Sequence, residues 1–450
     1  MVEFRESRGG VKRGETRLRP ADLAGSGEAR PQKLSEIKTS VMQRFSSGIE
    51  ELDRVLGSGF IPGSVILLAG EPGIGKSTLL LEIAKVGDLR KLGKLRESRN
   101  ILYVSGEESA QQVKIRAERL GVRGENLLLL AETNVEKILS EVENEKWEVG
   151  REMGVGSEKR KNNLTSNFSP PLLIIDSIQT LWSEDFEGSP GSVGQVKGCT
   201  QKLLEFAKKN DITVILVGHV TKEGEVAGPM MLAHMVDVVL FLEGERFTEL
   251  RLLRGLKNRF GPTDEVGVFK MTEKGMEEVV NPSELFLQES RNGKGEVGSV
   301  TICAMEGTRP MLVEIQALVT QSALAIPRRV ALGVDYNRVL LLSAVLQKSL
   351  NLALYNQDII VKVAGGFKLN EPAADLGICL AIISSFKNSP VPSKTCVFGE
   401  VGLLGEIRRV NGEKKRKKEA KKLGFTKVLS SETVKSLREA VKQFDNLKIG

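Results

Sequence analysis

The stretch GEPGIGKST, residues 70–78, carries the clearest chemistry in the sequence. Gly70, Gly75, Lys76 and Ser77 meet the spacing G-x-x-x-x-G-K-[ST], in which glycines let backbone N–H groups close around a phosphate chain. Glu71, Pro72, Gly73, Ile74 and Thr78 complete the loop. Lys76 supplies a cation to β- and γ-phosphate oxygens, and the Ser77 hydroxyl suits a magnesium ion. The motif follows an apolar strand and opens the helix TLLLEIAK, whose N-terminus adds partial positive charge. A chance glycine-rich turn would not come with strand, motif and helix in this order, so ATP with magnesium is the implied ligand.

Three more apolar runs end in groups that fit such a site. LLIID places Asp176 at the C-terminal end of a strand, where a carboxylate faces the crevice of a parallel sheet and can serve magnesium. Buried there without a cation, it would be costly. YVSGEES sets Glu107 and Glu108 after another strand. A carboxylate there can orient or deprotonate an attacking water, while acidic residues also gain from a helix N-terminus. Glu107 is the expected base, and both uses can hold across the pair. VGHVTK ends a strand with His219, assigned to sensing the γ-phosphate. His234 is the one other histidine, and two distant histidines build no metal cluster, so no zinc site is expected. LKNRFG, 256–261, is less decisive. In a strand, Lys257 and Arg259 share a face, and by themselves they read as a solvated strand end before a turn.

These groups need a scaffold of alternating strands and helices. NILYVSG (100–106), NLLLLAE (126–132), PLLIIDS (171–177) and ITVILVGHV (212–220) read as strands, with helices over 108–121 and 193–210. VVLFLEG (238–244) and TELRLLRGLKN (248–258) read as a closing antiparallel pair. Continuous apolar runs between helices predict an α/β fold with a mostly parallel sheet covered on both faces. Residues 1–33 form an expected flexible basic arm, 34–280 the nucleotide-binding domain, and 141–169 a polar surface insertion within it. Residues 281–450 form a second α/β domain, with strands in GSVTICAME and RPMLVEIQALV and a helix over 337–349. Near its end, NGEKKRKKEAKKLGF is a basic helix. Its Lys414, Lys415, Arg416, Lys417 and Lys418 suit nucleic-acid phosphates and suit a merely solvated face equally well.

At 450 residues the chain is long enough for two or three cores. A net charge of +7 leans towards an anionic partner such as nucleic acid. Four scattered cysteines without a CxxC pair argue against a disulfide framework and fit a reducing compartment. No run approaches the roughly twenty apolar residues of a membrane span, and the N-terminus lacks an apolar signal core, so a cytoplasmic protein is expected.

Taken in order, GEPGIGKST, YVSGEES, ETNVEKI, LLIIDSIQT, PGSVGQV, VGHVTKEGEVAGP, HMVDVVLFLEG and LKNRFGPTDEVGVF resemble the RadA (Sms) family of bacterial DNA repair proteins. NPSELFL, GTRPMLVEIQALV, VAGGFKLNEPAADL and FGEVGLLGEIR extend the likeness from about residue 30 to the C-terminus. The resemblance implies a RecA-like P-loop ATPase core followed by a Lon-protease-like domain. It also implies a homo-hexameric, ATP-driven motor on single-stranded and branched DNA that promotes branch migration, with recombinase or helicase partners. Lys257, Asn258, Arg259, Phe260 and Gly261 form the KNRFG hallmark, needed for hydrolysis and DNA engagement. Beside a P-loop that already has Lys76, Lys257 and Arg259 can then reach a neighbouring subunit's γ-phosphate, as arginine fingers do.

Two departures qualify the likeness. The family's N-terminal four-cysteine zinc finger is not expected here, since no cysteine precedes Cys199, either through loss or through an internal start. In NEPAADLGICLA the position of a Lon-type nucleophilic serine falls on Ala373. That disfavours an ATP-dependent Lon-type peptidase, since Ser–Lys hydrolysis needs the hydroxyl. It leaves the domain as a scaffold for ring assembly and DNA contact. A RecA-fold signalling ATPase without DNA work is disfavoured by the basic charge and the KNRFG segment.

Overall fold

The computed structural model describes residues 44–86, 101–124, 126–144, 172–219, 229–244, 249–287, 295–366 and 368–444. The expected N-terminal arm, most of the expected insertion and the segment VTKEGEVAG lie outside the described residues. The first part runs α1 (Glu50–Leu56), β1 (Val65–Gly70), α2 (Lys76–Val86), β2 (Ile101–Ser105), α3 (Ala110–Arg119), β3 (Leu127–Ala131), α4 (Val135–Asn144) and β4 (Leu172–Asp176). It continues with α5 (Val193–Asn210), β5 (Thr213–His219), β6 (Val238–Glu243), β7 (Leu250–Asn258), β8 (Val266–Thr272) and β9 (Gly275–Glu278). The strands form one nine-stranded sheet, ordered β3-β2-β4-β5-β1-β6-β7-β8-β9. From β3 to β6 the pairings are parallel, and from β6 to β9 antiparallel.

Alternation along β1 explains the two covered faces. Ile66 and Leu68 pack with Leu79, Leu80 and Ile83 of α2, while Val65 and Leu67 pack with Cys199, Leu203 and Phe206 of α5. Each such side chain removed from water contributes about 1.5–3 kcal/mol. A strand apolar at every position is therefore the expected signature of a sheet with helices on both sides.

Two local features differ from the sequence reading. Residues 141–144 are the last turn of α4 and not part of an insertion, because Val135, Ile138 and Val142 continue a buried helical stripe past residue 141. The sheet also does not close at residue 258. β8 and β9 extend it through a two-residue hairpin at Glu273-Lys274, whose turn lacks an Asn-Gly or Asp-Gly signal.

The second part runs α6 (Pro282–Phe286), β10 (Ser299–Glu306), β11 (Arg309–Gln321), β12 (Arg329–Leu332), α7 (Tyr336–Leu350), β13 (Gln357–Val363) and α8 (Asp375–Phe386). β14 (Thr395–Val397), β15 (Glu400–Val401), β16 (Ile407–Arg408), α9 (Glu413–Lys422), β17 (Lys427–Leu429) and α10 (Leu437–Lys442) follow. Six strands form a mixed sheet, β12-β13-β11-β10-β14-β17, and β15 pairs with β16 alone. α8 buries its apolar face against β10 and β11, and α7 packs against α8 and β12. Ala373 is 2% exposed and packs with Cys303, Leu312, Cys396, Phe398 and Ala420. Among the described residues no helix is long and apolar enough to cross a membrane.

The basic helix α9 is not uniformly solvated. Arg416 was expected on an exposed face, meeting either DNA phosphate or solvent, yet it is 1% exposed and points inward. Its guanidinium makes a fork with Glu371 at 2.9 and 2.5 Å and donates to the Cys303 and Asn411 carbonyls. Helical spacing explains this, since Glu413, Arg416 and Ala420 share the buried side of α9. Lys417 pairs with Glu432, and Lys415 donates to the Thr308 carbonyl at 3.4 Å. Lys414, Lys415 and Lys418 remain exposed. Removing one partner of a buried ion pair strands the other, so Arg416→Met is expected to destabilise the protein by about 3 kcal/mol. Lys414→Ala is expected to stay within about 0.5 kcal/mol. Urea unfolding midpoints separate the two outcomes.

Candidate nucleotide site and its distant cations

The loop between β1 and α2 is shaped by glycine. Gly75 has φ 116, and a Cβ there would lie 2.6 Å from the terminal methyls of Met271 and Met276. The positive φ is what favours glycine, and a Cβ would in addition have to displace those two flexible methyl ends. Lys76 is buried, and its Nζ donates to the Gly70 and Glu71 carbonyls, each at 2.9 Å. Burial, opposed by Asp176 and Glu107, holds its pKa down at about 8.

Parallel register gathers the remaining groups. Gly70 lies level with His219, and Ser105 with Asp176, so the ends of β1, β2, β4 and β5 share one edge. Ser77 Oγ donates to Asp176 Oδ2 at 2.6 Å, an oxygen pair of the kind magnesium takes. The buried Tyr103 hydroxyl donates to the same oxygen at 2.5 Å and orients the carboxylate. Burial and Asp176 push the Tyr103 phenol well up, which keeps it a donor.

The two glutamates separate. Glu108 pairs with Arg116 of α3. Glu107 accepts from Ser177 Oγ at 2.7 Å and lies 3.6 Å from His219 Nε2. Burial, together with Lys76, holds the His219 pKa below its ordinary value, leaving a neutral imidazole near pH 7. Lys76, Asp176, Glu107 and His219 therefore surround the mouth of the loop.

Two residues here were missed from the sequence. Tyr103 lies within the strand NILYVSG, where a hydroxyl among aliphatic residues is a signal that a partner is near. Arg251, on β7, is buried and donates from Nε to the Ile74 carbonyl at 3.0 Å, holding the loop from beneath. Its position in an alternating strand carries no such signal.

Lys257 and Arg259 stand elsewhere. β7 runs antiparallel to β6, so Asn258 is level with Val238 and hence with Ile66 near the start of β1. The Arg259 N–H donates to the Asp237 carbonyl and the Asp237 N–H to the Val65 carbonyl, so at about 3.3 Å per residue Arg259 stands roughly 16 Å of strand from Gly70, while Lys257, level with Leu67, stands roughly 10 Å from it. Lys257 Nζ donates to the Ala233 and Val236 carbonyls at 2.7 and 2.8 Å. Arg259 Nη1 lies 3.3 Å from Asp237 Oδ1. Burial and Arg259 keep the Lys257 ammonium below the ordinary lysine range. Asn258 Nδ2 donates to the Leu56 carbonyl at 3.2 Å, and Phe260 is exposed.

Comparison with known proteins now bears on this geometry. Residues 30–225 match the family model described as AAA domain, and 337–433 match that of subunit ChlI of Mg-chelatase. DNA repair protein RadA of Halalkalibacterium halodurans is 47% identical over 407 residues, covering 90% of this chain and 82% of that one. RadA of Bacillus subtilis is 47% identical over 401 residues, 89% and 80% of the two chains. RadA of Streptococcus pneumoniae is 47% identical over 412 residues, 91% and 90% of the two chains. The chain belongs to the RadA family of DNA repair proteins. In this RadA-family chain an AAA-type, RecA-like nucleotide-binding core precedes a Lon-like second unit, the two-part architecture expected from the sequence.

The Lys76 pKa gives this site a measurable signature. Below pH 8 the ammonium is charged and can meet phosphate directly. Above pH 8 it is neutral, and binding must take up a proton. Nucleotide affinity should be nearly flat below pH 8 and fall by up to about tenfold per pH unit above it. A fluorescent-nucleotide titration from pH 7 to 9.5 measures this, and a flat profile across that range would contradict the role of Lys76.

Proposed function

We propose that this protein is a DNA-dependent ATPase of recombinational repair. It couples ATP hydrolysis to binding and translocation on single-stranded or branched DNA and promotes branch migration as a homo-hexameric ring in the cytoplasm. Residues 34–280 form the motor domain, and 281–450 a proteolytically inactive scaffold, consistent with the packed methyl of Ala373. The observation that carries the reading is the strand length separating these cations from their own phosphate loop, roughly 10 Å for Lys257 and roughly 16 Å for Arg259. Cations so far from their own site are of use at a neighbour's.

In this reading Gly70–Thr78 wrap the phosphates, and Lys76 neutralises the γ-phosphate oxygens. Ser77 and Asp176 hold magnesium, which neutralises phosphate charge when bound. Glu107 orients and deprotonates water, and its hydrogen bond from Ser177 fixes its carboxylate. His219, neutral and beside Glu107, reads whether the γ-phosphate is present. Arg259 and Lys257, supplied in trans with the KNRFG turn, stabilise charge on the transferring phosphoryl group, a contribution of about 10³–10⁵ in kcat for arginine fingers. Lys414, Lys415 and Lys418 contact DNA phosphate. Recombinase or helicase proteins are the expected partners.

ATP hydrolysis should rise with single-stranded DNA and vanish in Lys76→Ala. Lys257→Ala subunits should also be nearly inactive alone, yet regain part of their rate when mixed into rings with Lys76→Ala subunits. No recovery in rings shown by mass to be mixed would sink the trans assignment. The Lys414→Glu/Lys418→Glu variant should bind single-stranded DNA less tightly, with a salt slope shallower by about 0.7 per lost phosphate contact. An unchanged slope would leave that face merely solvated.

A further inference from the structure

The turn between β10 and β11 leaves its own sheet and enters the nucleotide-binding domain. Gly307 has φ 57, and a Cβ there would lie 1.5 Å from the Asp264 carbonyl oxygen, so the approach requires glycine. The Thr308 N–H donates to that carbonyl at 2.8 Å, and the Thr308 hydroxyl donates to the Glu265 carboxylate. Asp264 and Glu265 follow KNRFGPT directly in the chain. Arg309 reaches deeper. Nη1 pairs with Glu51 Oε2, and Nη2 donates to the Val280 and Val279 carbonyls at 2.7 and 3.3 Å. Glu51 is 1% exposed, and Oε2 also accepts the Val268 N–H at 2.9 Å.

Glu51 belongs to α1, and the other end of α1 holds the KNRFG turn. The Leu56 carbonyl accepts Asn258 Nδ2 at 3.2 Å and Arg44 Nη1 at 3.0 Å. Arg44 Nη2 donates to the Phe260 carbonyl at 2.5 Å, and Asn258 Oδ1 accepts the Phe260 N–H at 2.9 Å. Arg259 is thus flanked by two residues fastened to the end of a seven-residue helix. At 1.5 Å per residue that helix is about 10 Å long, and a displacement at Glu51 moves Leu56 with it. Arg54 Nε, on the same helix, lies 3.4 Å from Glu51 Oε1 but is half-exposed, so without Arg309 the buried Oε2 loses its own cation and the balance shifts towards movement of α1.

We propose that Arg309, from the C-terminal domain, is a positioning residue for hydrolysis, acting through Glu51 and α1 to aim the turn that presents Arg259 to the neighbouring subunit. This rests on the trans role of the KNRFG segment proposed above. It gives the second domain a part in the chemistry of the first although it touches no nucleotide. Lys415 donates to the Thr308 carbonyl, so the basic helix α9 leans on the same turn.

The test uses full-length protein with ATP and single-stranded DNA. Arg309→Met should lower kcat by about 10- to 100-fold, the range expected for a misplacement near 1 Å, with nucleotide affinity and ring mass unchanged. Arg309→Lys keeps a cation for Glu51 but loses the guanidinium fork, and should fall between wild type and Arg309→Met. Where Arg309→Met folds poorly, Glu51→Gln/Arg309→Met removes both charges together and should show the same fall in kcat.

Mixed rings give the deciding readout. Arg309→Met subunits keep an intact phosphate loop, and Lys76→Ala subunits keep a well-aimed KNRFG turn, so mixing them should restore part of the rate. A residue that only staples domains together would damage its own subunit's site and would not be rescued by a neighbour. Unchanged kcat in Arg309→Met overturns the proposal. So does absence of recovery in mixed rings when the Lys257→Ala with Lys76→Ala pair does recover. Failure of both pairs overturns the trans reading beneath it.

Discussion

Parallel pairing of β1 with β5 and of β2 with β4 is the constraint on which the site depends. Strands that run the same way end at the same edge, so residues far apart in sequence arrive together there. Lys76 and Ser77 come from the start of α2, just after the β1 turn, Glu107 from beyond β2, Asp176 from β4 and His219 from β5. Aliphatic residues hold that register, since slipping a strand by one residue would exchange its two buried faces. The same geometry sends the KNRFG segment away. β7 is antiparallel to its neighbour and ends where the parallel strands begin.

Electrostatics at the shared edge follows from burial. Lys76 is held in a desolvated position near two carboxylates, and burial still wins, lowering its pKa to about 8. Asp176 accepts hydrogen bonds from Ser77 and Tyr103, which hold one of its oxygens in place without a charged partner. Glu107 remains half-exposed beside a neutral His219. Such a site is poised for the phosphate charge of a nucleotide.

The second domain is tied to the first by charge as well as by apolar contact. Arg309 with Glu51, and Arg254 with Glu306 at 2.6 Å, cross the seam between the two sheets. Buried ion pairs add little net stability, but each is strict about geometry because breaking it strands a charge. A seam built this way fixes orientation better than an apolar patch that can slide. Within the second domain Arg416 and Glu371 meet the same demand.

Much of this was legible in one dimension. The phosphate loop, the aliphatic strands and the carboxylates that end them follow local rules of spacing and period, which is why Lys76, Asp176 and Glu107 could be named and α5 bounded without coordinates. Glu107 is already the expected base in one dimension, and packing adds that Arg116 engages Glu108. Arg416 was misread because a basic run looks uniformly solvated until the buried face of α9 is known. Tyr103 carries only the faint signal of a hydroxyl in an aliphatic strand and Arg251 none, since their partners Asp176 and Ile74 lie far away in sequence. By itself the sequence determined the chemistry available, the family likeness and the alternation of elements, all set by neighbours within a few residues. The tertiary structure alone decided direction: which cations face the chain's own phosphate loop, which stand roughly 10 to 16 Å of strand away from it, and which turn inward. Those outcomes depend on strand register and helix burial between distant segments.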